Sequence, residues 1–333
     1  MKTWLFRLSL ICTLVAFSVV LLGAFTRLTD AGLGCPDWPG CYGQLRAPDS
    51  PSAIAQANAD FPAIPVHITK ARTEMTHRYF AETLGSLILL LGALSFWKRR
   101  TLGIPTWLPP LLVGLVIFQG LLGMWTVTLK LWPIVVMAHL LGGLSLLGLL
   151  WLCVLILRNP TPNTSTISPL TLRLSYAFMG VLVAQILLGG WTSANYAALI
   201  CPDFPTCQGQ WWPENMNFIK GFHLTGGHGM ENPLFFMDTP GKTAIHMMHR
   251  IGAFLTLLLG LILSIRLFKT HALLASTLLL LLCVQVLLGI SNVLFYLPLH
   301  VALTHHGVAA LLLLTVVTIQ FMLRKSHVTH RTH

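Results

Sequence analysis

The chain has 333 residues, 55% of them hydrophobic and only 9% charged, with a mean hydropathy of +0.73 and a formal net charge of +11. Soluble domains carry about a quarter charged residues, so this composition excludes an ordinary soluble enzyme, a disordered chain and a conventional nucleic-acid binder. A chain this apolar is solvated by lipid, where Lys and Arg report topology first and fourteen His are costly unless they have a task.

A membrane helix needs about 20 mostly apolar residues. Eight stretches meet this: residues 4–26, 72–97, 106–128, 133–157, 170–191, 243–268, 272–295 and 299–323. The first follows Lys2 and Arg7 and is longer than a usual signal-peptide apolar core, so it is read as a full helix. Short links such as 101–110 and 159–169 are polar or Pro-rich. Two long links, 29–71 and 194–242, are rich in Pro, Gly and Asn and are read as outer loops with some local structure.

Charge sets the orientation. Lys2, Arg7, Lys98, Arg99, Arg100, Arg158, Arg173, Arg266, Lys269, Arg324, Lys325 and Arg331 fall on one side with no acid among them. Asp30, Asp37, Asp49, Asp60, Asp203, Glu214, Glu231 and Asp238 fall on the other. This positive-inside pattern predicts a multi-pass protein of a bacterial inner membrane with both termini cytoplasmic. It also accounts for the +11 charge as a topology signal, not as the footprint of an anionic partner.

The two halves repeat. The stretch from Gly23 through Thr26 to Cys35, Cys41 and Gln44 matches that from Gly189 through Thr192 to Cys201, Cys207 and Gln210, at an offset of 166. Gln119 and Gly123 match Gln285 and Gly289 at the same offset. Glu74, His77 and Arg78 match His246, His249 and Arg250 with six more residues in the preceding loop. An even number of helices per repeat makes the repeats parallel. The predicted architecture is all-α and polytopic, with eight transmembrane helices in two pseudo-symmetric four-helix bundles, residues 1–158 and 170–325. A cytoplasmic linker, 159–169, joins them and a cytoplasmic tail, 326–333, follows.

The repeat pairs His77 with His139 and His249 with His305, each about five to seven residues inside its helix, or about 10 Å from the outer face. Facing His in a bundle core are a place for a metal or cofactor. Zinc wants three or four ligands, whereas a haem iron takes two axial imidazoles. The bland alternative is four structural His bonded between helices. Arg78 and Arg250 each follow a His at the wet face, as propionate partners or as snorkelling interfacial cations. His67, His223 and His228 are read as loop residues, His300 as interfacial, and His271, His327, His330 and His333 as cytoplasmic.

Glu74 stands where the second half has His246. A carboxylate in a membrane helix is a functional candidate by default, serving as proton acceptor or stabiliser of positive charge; the alternative is an ion pair with Arg72 or Arg78. Glu82, deeper in the same helix, is expected to face the bundle. Cys35 and Cys41 frame one outer loop and Cys201 and Cys207 its copy. The outer face is oxidising, so a Cys35–Cys41 and a Cys201–Cys207 disulfide lead, with cross-loop pairing, metal ligation and redox use as alternatives. Cys12, Cys153 and Cys283 read as apolar packing. Trp38, Trp211 and Trp212 either anchor the interface or close a pocket.

Taken together, Glu74, His77 and Arg78 on the second helix, His139 on the fourth, His249 and Arg250 on the sixth, His305 and His306 on the eighth, and the Cys35–Cys41 loop resemble the haem A synthase family over residues 5–325. The resemblance implies an oxidoreductase that converts haem O to haem A by successive hydroxylations of the ring-D methyl group. It implies haem O held between His77 and His139, haem b ligated by His249 and His305, and Glu74 as the catalytic acid/base. His246 against His249 and His305 against His306 stay open as ligands. Implied partners are an electron acceptor or donor, haem O synthase, cytochrome oxidase assembly factors and a second copy of the chain. The runner-up class is a diheme b-type electron-transfer cytochrome, which gains nothing from an acid beside one haem. A transporter is disfavoured by continuous helices in parallel repeats.

Overall fold

A computed structural model describes residues 1–161, 168–224 and 238–329. His228, Glu231, His330, Arg331 and His333, and the side chain of His327, lie outside the described residues. Among the described residues eight helices are long and apolar enough to cross a membrane: α1 (Lys2–Leu28), α3 (Ile68–Leu102), α4 (Leu108–Thr128), α5 (Pro133–Arg158), α6 (Pro169–Ala194), α8 (Thr239–Phe268), α9 (Ala272–Leu294) and α10 (Leu299–Thr329). Among the described residues no strand forms. Two short helices, α2 (Pro51–Asp60) and α7 (Phe218–Gly221), lie in the long links, which carry the expected local structure. The eighth spanning helix runs beyond residue 325, so the expected tail is in part a continuation of α10.

The helix ends follow local chemistry. Ser50, Ser168 and Asp238 cap α2, α6 and α8 by accepting from the backbone N–H of Ala53, Leu170 and Gly241. A proline occupies the first turn of α2, α4, α5, α6 and α8, where its missing N–H costs nothing. Gly103 ends α3 at a left-handed φ of 64°, which only glycine adopts without strain. Arg99 and Arg100 in the last turn of α3, Arg158 in that of α5 and Arg266 in that of α8 complement the negative helix ends.

The spanning helices close into two rings. In the first half α1 packs on α3 and α5, and α4 on α3 and α5. In the second half α6 packs on α8 and α10, and α9 on α8 and α10. In each ring, therefore, α3 and α5, or α8 and α10, stand on a diagonal. The halves meet through α1 with α10, α5 with α6 and α5 with α10. Ile88, Leu91, Leu112, Leu147 and Leu150 anchor one dry core, and Phe178, Leu263, Leu278 and Val316 the other. Ile88 lies eleven residues below His77 on α3, or about 16 Å. The tight apolar packing thus fills the end away from the long loops, and the histidines belong to the loop end.

The repeat extends to the backbone. Positive φ occurs at Asp30 and Tyr196, Tyr42 and Gln208, Lys130 and Tyr296, Leu131 and Leu297, and Gly43 and Gly209. Each pair is 166 residues apart. Symmetry-related positions also touch each other. Tyr196 donates to Asp30 at 2.9 Å, and the Arg27 guanidinium stacks 4.2 Å from the Tyr196 ring while donating to the Ser193 carbonyl. At the opposite end the Lys325 ammonium donates to Asn159 at 2.7 Å. The halves are therefore pinned to one another at both ends.

Both disulfides form as expected, Cys35–Cys41 and Cys201–Cys207, each closing a separation of six residues. Within each loop one aspartate carboxylate accepts from two successive N–H groups: Asp37 from Tyr42 and Gly43, Asp203 from Gln208 and Gly209. These bonds, with that from the Thr206 hydroxyl as the largest cause, hold the Asp203 carboxyl below the usual range. A cross-link over so short a loop stabilises by about 2 kcal/mol. The double substitution of Cys35 and Cys41 by Ser is expected to speed proteolysis between residues 36 and 67, measured on the detergent-solubilised protein; an unchanged cleavage rate would show the disulfide to be dispensable there.

Candidate haem-binding and catalytic site

The four paired histidines sit at equivalent places. His77 (α3) and His139 (α5) come from diagonal helices of the first ring, His249 (α8) and His305 (α10) from those of the second. Each imidazole rests its Cε1 edge on a glycine of a neighbouring helix. A Cβ built on Gly23 would lie 3.1 Å from His77, one on Gly123 3.5 Å from His139, one on Gly189 3.1 Å from His249 and one on Gly289 3.3 Å from His305. Four glycines thus cradle four imidazoles where a side chain would push them out.

The ring nitrogens fit ligation. Nδ1 of His77, His139 and His305 is buried without a partner in the protein, and buried polar groups without partners are rare and costly. Among the described residues no three of His, Cys, Asp and Glu gather as a metal cage. Paired imidazoles across a helical bundle are a donor set that suits an iron with two axial ligands.

The neighbouring histidines behave differently. Nδ1 of His246 lies 2.9 Å from the Ala197 carbonyl oxygen, so this buried ring is tied to its loop. His306 sits beside His305 but about 100° round the helix. His67 is exposed and caps α3, accepting from the Lys70 N–H; His223 and His300 are exposed as well.

Glu74 is 4% exposed, and both its oxygens are used. Oε2 accepts from the Cys35 N–H at 2.8 Å, and Oε1 pairs with the Arg78 guanidinium. Arg78 also donates to the carbonyls of Asp37, Pro39 and Gly40. The disulfide loop is therefore fastened to α3 by an acid and a base one turn apart. In the second half Arg250 repeats this clamp, donating to the carbonyls of Asp203 and Thr206 at 2.8 Å. There His246 replaces the acid. Arg72 is exposed, so of the two cations considered for Glu74, Arg78 is the partner.

One expectation fails. Glu82 does not face the bundle; it lies on the exposed side of α3. Five residues beyond His77 is about 140° round the helix, which carries the carboxylate off the bundle-facing side. Trp38, Trp211 and Trp212 are exposed, so none is buried in a pocket.

The sequence is similar to known proteins over nearly its whole length. A family model described as cytochrome oxidase assembly protein covers residues 6–317. The haem A synthase of Shewanella oneidensis is 47% identical over 333 residues, with 99% of each chain covered. The chain belongs to the haem A synthase family. More distant relatives carry the same name. The haem A synthase of Chelativorans is 28% identical, covering 94% of this chain and 89% of its own. That of Shouchella clausii is 26% identical, covering 96% and 97%.

Sequence reasoning set the histidines and Glu74 in place but missed the role of the glycines in this family member. Gly23, Gly123, Gly189 and Gly289 were visible as matched positions of the repeat; glycine inside a spanning helix, twice over, is a signal of close approach. Gly189→Val is expected to push His249 off its seat at about 1–3 kcal/mol, read as a lower haem content in the purified protein. Gly180→Val on the same helix, whose Cβ would meet nothing within 4 Å, is expected to leave it unchanged. Equal haem content in both variants would remove the cradle from the site.

Proposed function

We propose that this protein is a haem A synthase that oxidises the ring-D methyl group of haem O to a formyl group by successive hydroxylations, giving haem A for terminal oxidases. The observation that supports this most is a histidine pair built twice with an acid beside only one copy. On this reading the first bundle, residues 1–158, takes haem O between His77 and His139. The second, residues 170–325, holds haem b between His249 and His305. Bound haem b supplies one-electron redox chemistry.

Turning a methyl into a formyl group removes four electrons and adds one oxygen, so protons must leave the reacting carbon. Glu74 is the acid/base placed to take them or to offset positive charge there. Arg78 holds the carboxylate in an ion pair and fastens the Cys35–Cys41 loop to α3. Nε of Arg250 is buried without a partner and offers a donor to a propionate of haem b. The positive-inside charge pattern supports an inner-membrane protein with both termini cytoplasmic and the disulfide loops outside, where disulfides persist. Haem O synthase as supplier, oxidase assembly factors as recipients and an electron acceptor are the partners this chemistry needs; a homo-oligomer is compatible with it.

The test is to purify the protein from membranes, extract its haems and separate them by chromatography. Haem O or haem A beside haem b is the expected result. Two equivalents of haem b alone would overturn the reading and leave a diheme electron carrier.

A further inference from the structure

Three of the four histidine seats have a glutamine one turn before the cradling glycine on the same helix. These are Gln119 before Gly123, Gln185 before Gly189 and Gln285 before Gly289. At the fourth, before Gly23, the residue is Val19. The glutamines of the second half reach the imidazoles. Gln185 Nε2 lies 3.0 Å from His249 Nδ1 and donates to the His249 carbonyl at 3.0 Å. Gln285 Nε2 lies 3.3 Å from Nε2 of His305, whose Nδ1, like that of His77 and His139, has no partner. In the first half Val19 packs into the apolar core, Nδ1 of His77 has no partner, and the amide nitrogen of Gln119 is itself buried without one. A second difference runs parallel. Gly252, one turn after His249, leaves the space that the Gln185 amide fills: its Oε1 is 2.2 Å from a Cβ built there. The matching position after His77 is Phe80.

A ligating imidazole is oriented by what its other nitrogen bonds, and removing such a partner lowers affinity about 10–100-fold. An amide suits this task, because a single side chain reaches both the ring and the backbone carbonyl of the same histidine. We infer that Gln185 is a positioning residue that locks His249, while Val19 at the matching place leaves His77 a loosely held ligand, so that the first pair is built to exchange its haem and the second to keep it. This rests on the reading of both pairs as haem ligands. It explains why one scaffold, duplicated, has kept four identical imidazoles yet changed the residue behind a single one. The half that admits substrate and releases product needs a ligand that lets go.

The experiment follows transfer of haem from both seats of the purified, haem-loaded protein to excess apomyoglobin, with electron paramagnetic resonance of the low-spin ferric haem recorded on the same samples. Wild type is expected to release haem in two phases, with the fast phase absent in His77→Ala. Gln185→Val is expected to speed the slow phase about tenfold and to shift the low-spin signal. Val19→Gln, alone and with Phe80→Gly, is expected to slow the fast phase. Release rates and resonance unaltered by Gln185→Val and by both Val19 variants would overturn the inference and leave the haem reading intact. Protein that takes up no histidine-ligated haem would overturn both.

Discussion

Replacing Glu74 by Gln is expected to stop haem A formation while the haem proposed for the second bundle stays in place. The loss should be about 10²–10⁴-fold, the usual weight of a positioned acid or base. Gln keeps an oxygen that can accept from the Cys35 N–H, so the loop retains that bond. Arg78 retains the carbonyls of Asp37, Pro39 and Gly40. What disappears is the carboxylate charge and its capacity to take a proton. Because the Glu74–Arg78 pair is buried, removing one partner also costs about 3–5 kcal/mol of stability, and loss of activity alone does not separate chemistry from loop closure. The double variant Glu74→Leu with Arg78→Leu separates them, since replacing both buried charges by apolar groups is often neutral. If it folds with normal haem content, keeps the Cys35–Cys41 loop as resistant to proteolysis as wild type and makes no haem A, the carboxylate acts in the reaction. Haem A production restored in the double variant would reduce Glu74 to a structural partner of Arg78.

The spans were legible because their signal is collective: twenty apolar residues leave no other structure in lipid. The His77–His139 and His249–His305 pairings were legible because the repeat supplied a second copy of each position. What sequence did not show depends on rotation about a helix or on the path of a loop. Glu82 lies eight residues beyond Glu74, about 80° round the helix, and a helix apolar on most sides gives little indication of which face meets its neighbours. The clamp of Glu74 and Arg78 on the Cys35–Cys41 loop needs a turn whose course is set by Asp37 and the disulfide together. Gln185 was hidden for a different reason. Its partner, His249, is 64 residues away, and its meaning lies in the contrast with Val19.

On the proposed assignment of haem b to His249 and His305 and of haem O to His77 and His139, the histidine variants should fall into two classes. His249→Ala or His305→Ala is expected to lose the resident low-spin haem, since an iron deprived of one of two axial imidazoles is neither low-spin nor firmly held. A drop in haem content of about tenfold or more is the expected size. His77→Ala or His139→Ala is expected to keep that haem and its spectrum yet accumulate no haem A, because only the substrate seat is damaged. The open choices have a stated outcome as well. His246 is spoken for by the Ala197 carbonyl at 2.9 Å, so His246→Ala should loosen the loop and leave the haem. His305 rests on Gly289 and is reached by Gln285, so His306→Ala should likewise retain it. Haem content and the low-spin ferric signal decide each case. A resident haem that survives His249→Ala and is lost with His246→Ala would move the ligand one turn toward the loop. It would also break the equivalence with His77, on which the assignment of two haem seats depends.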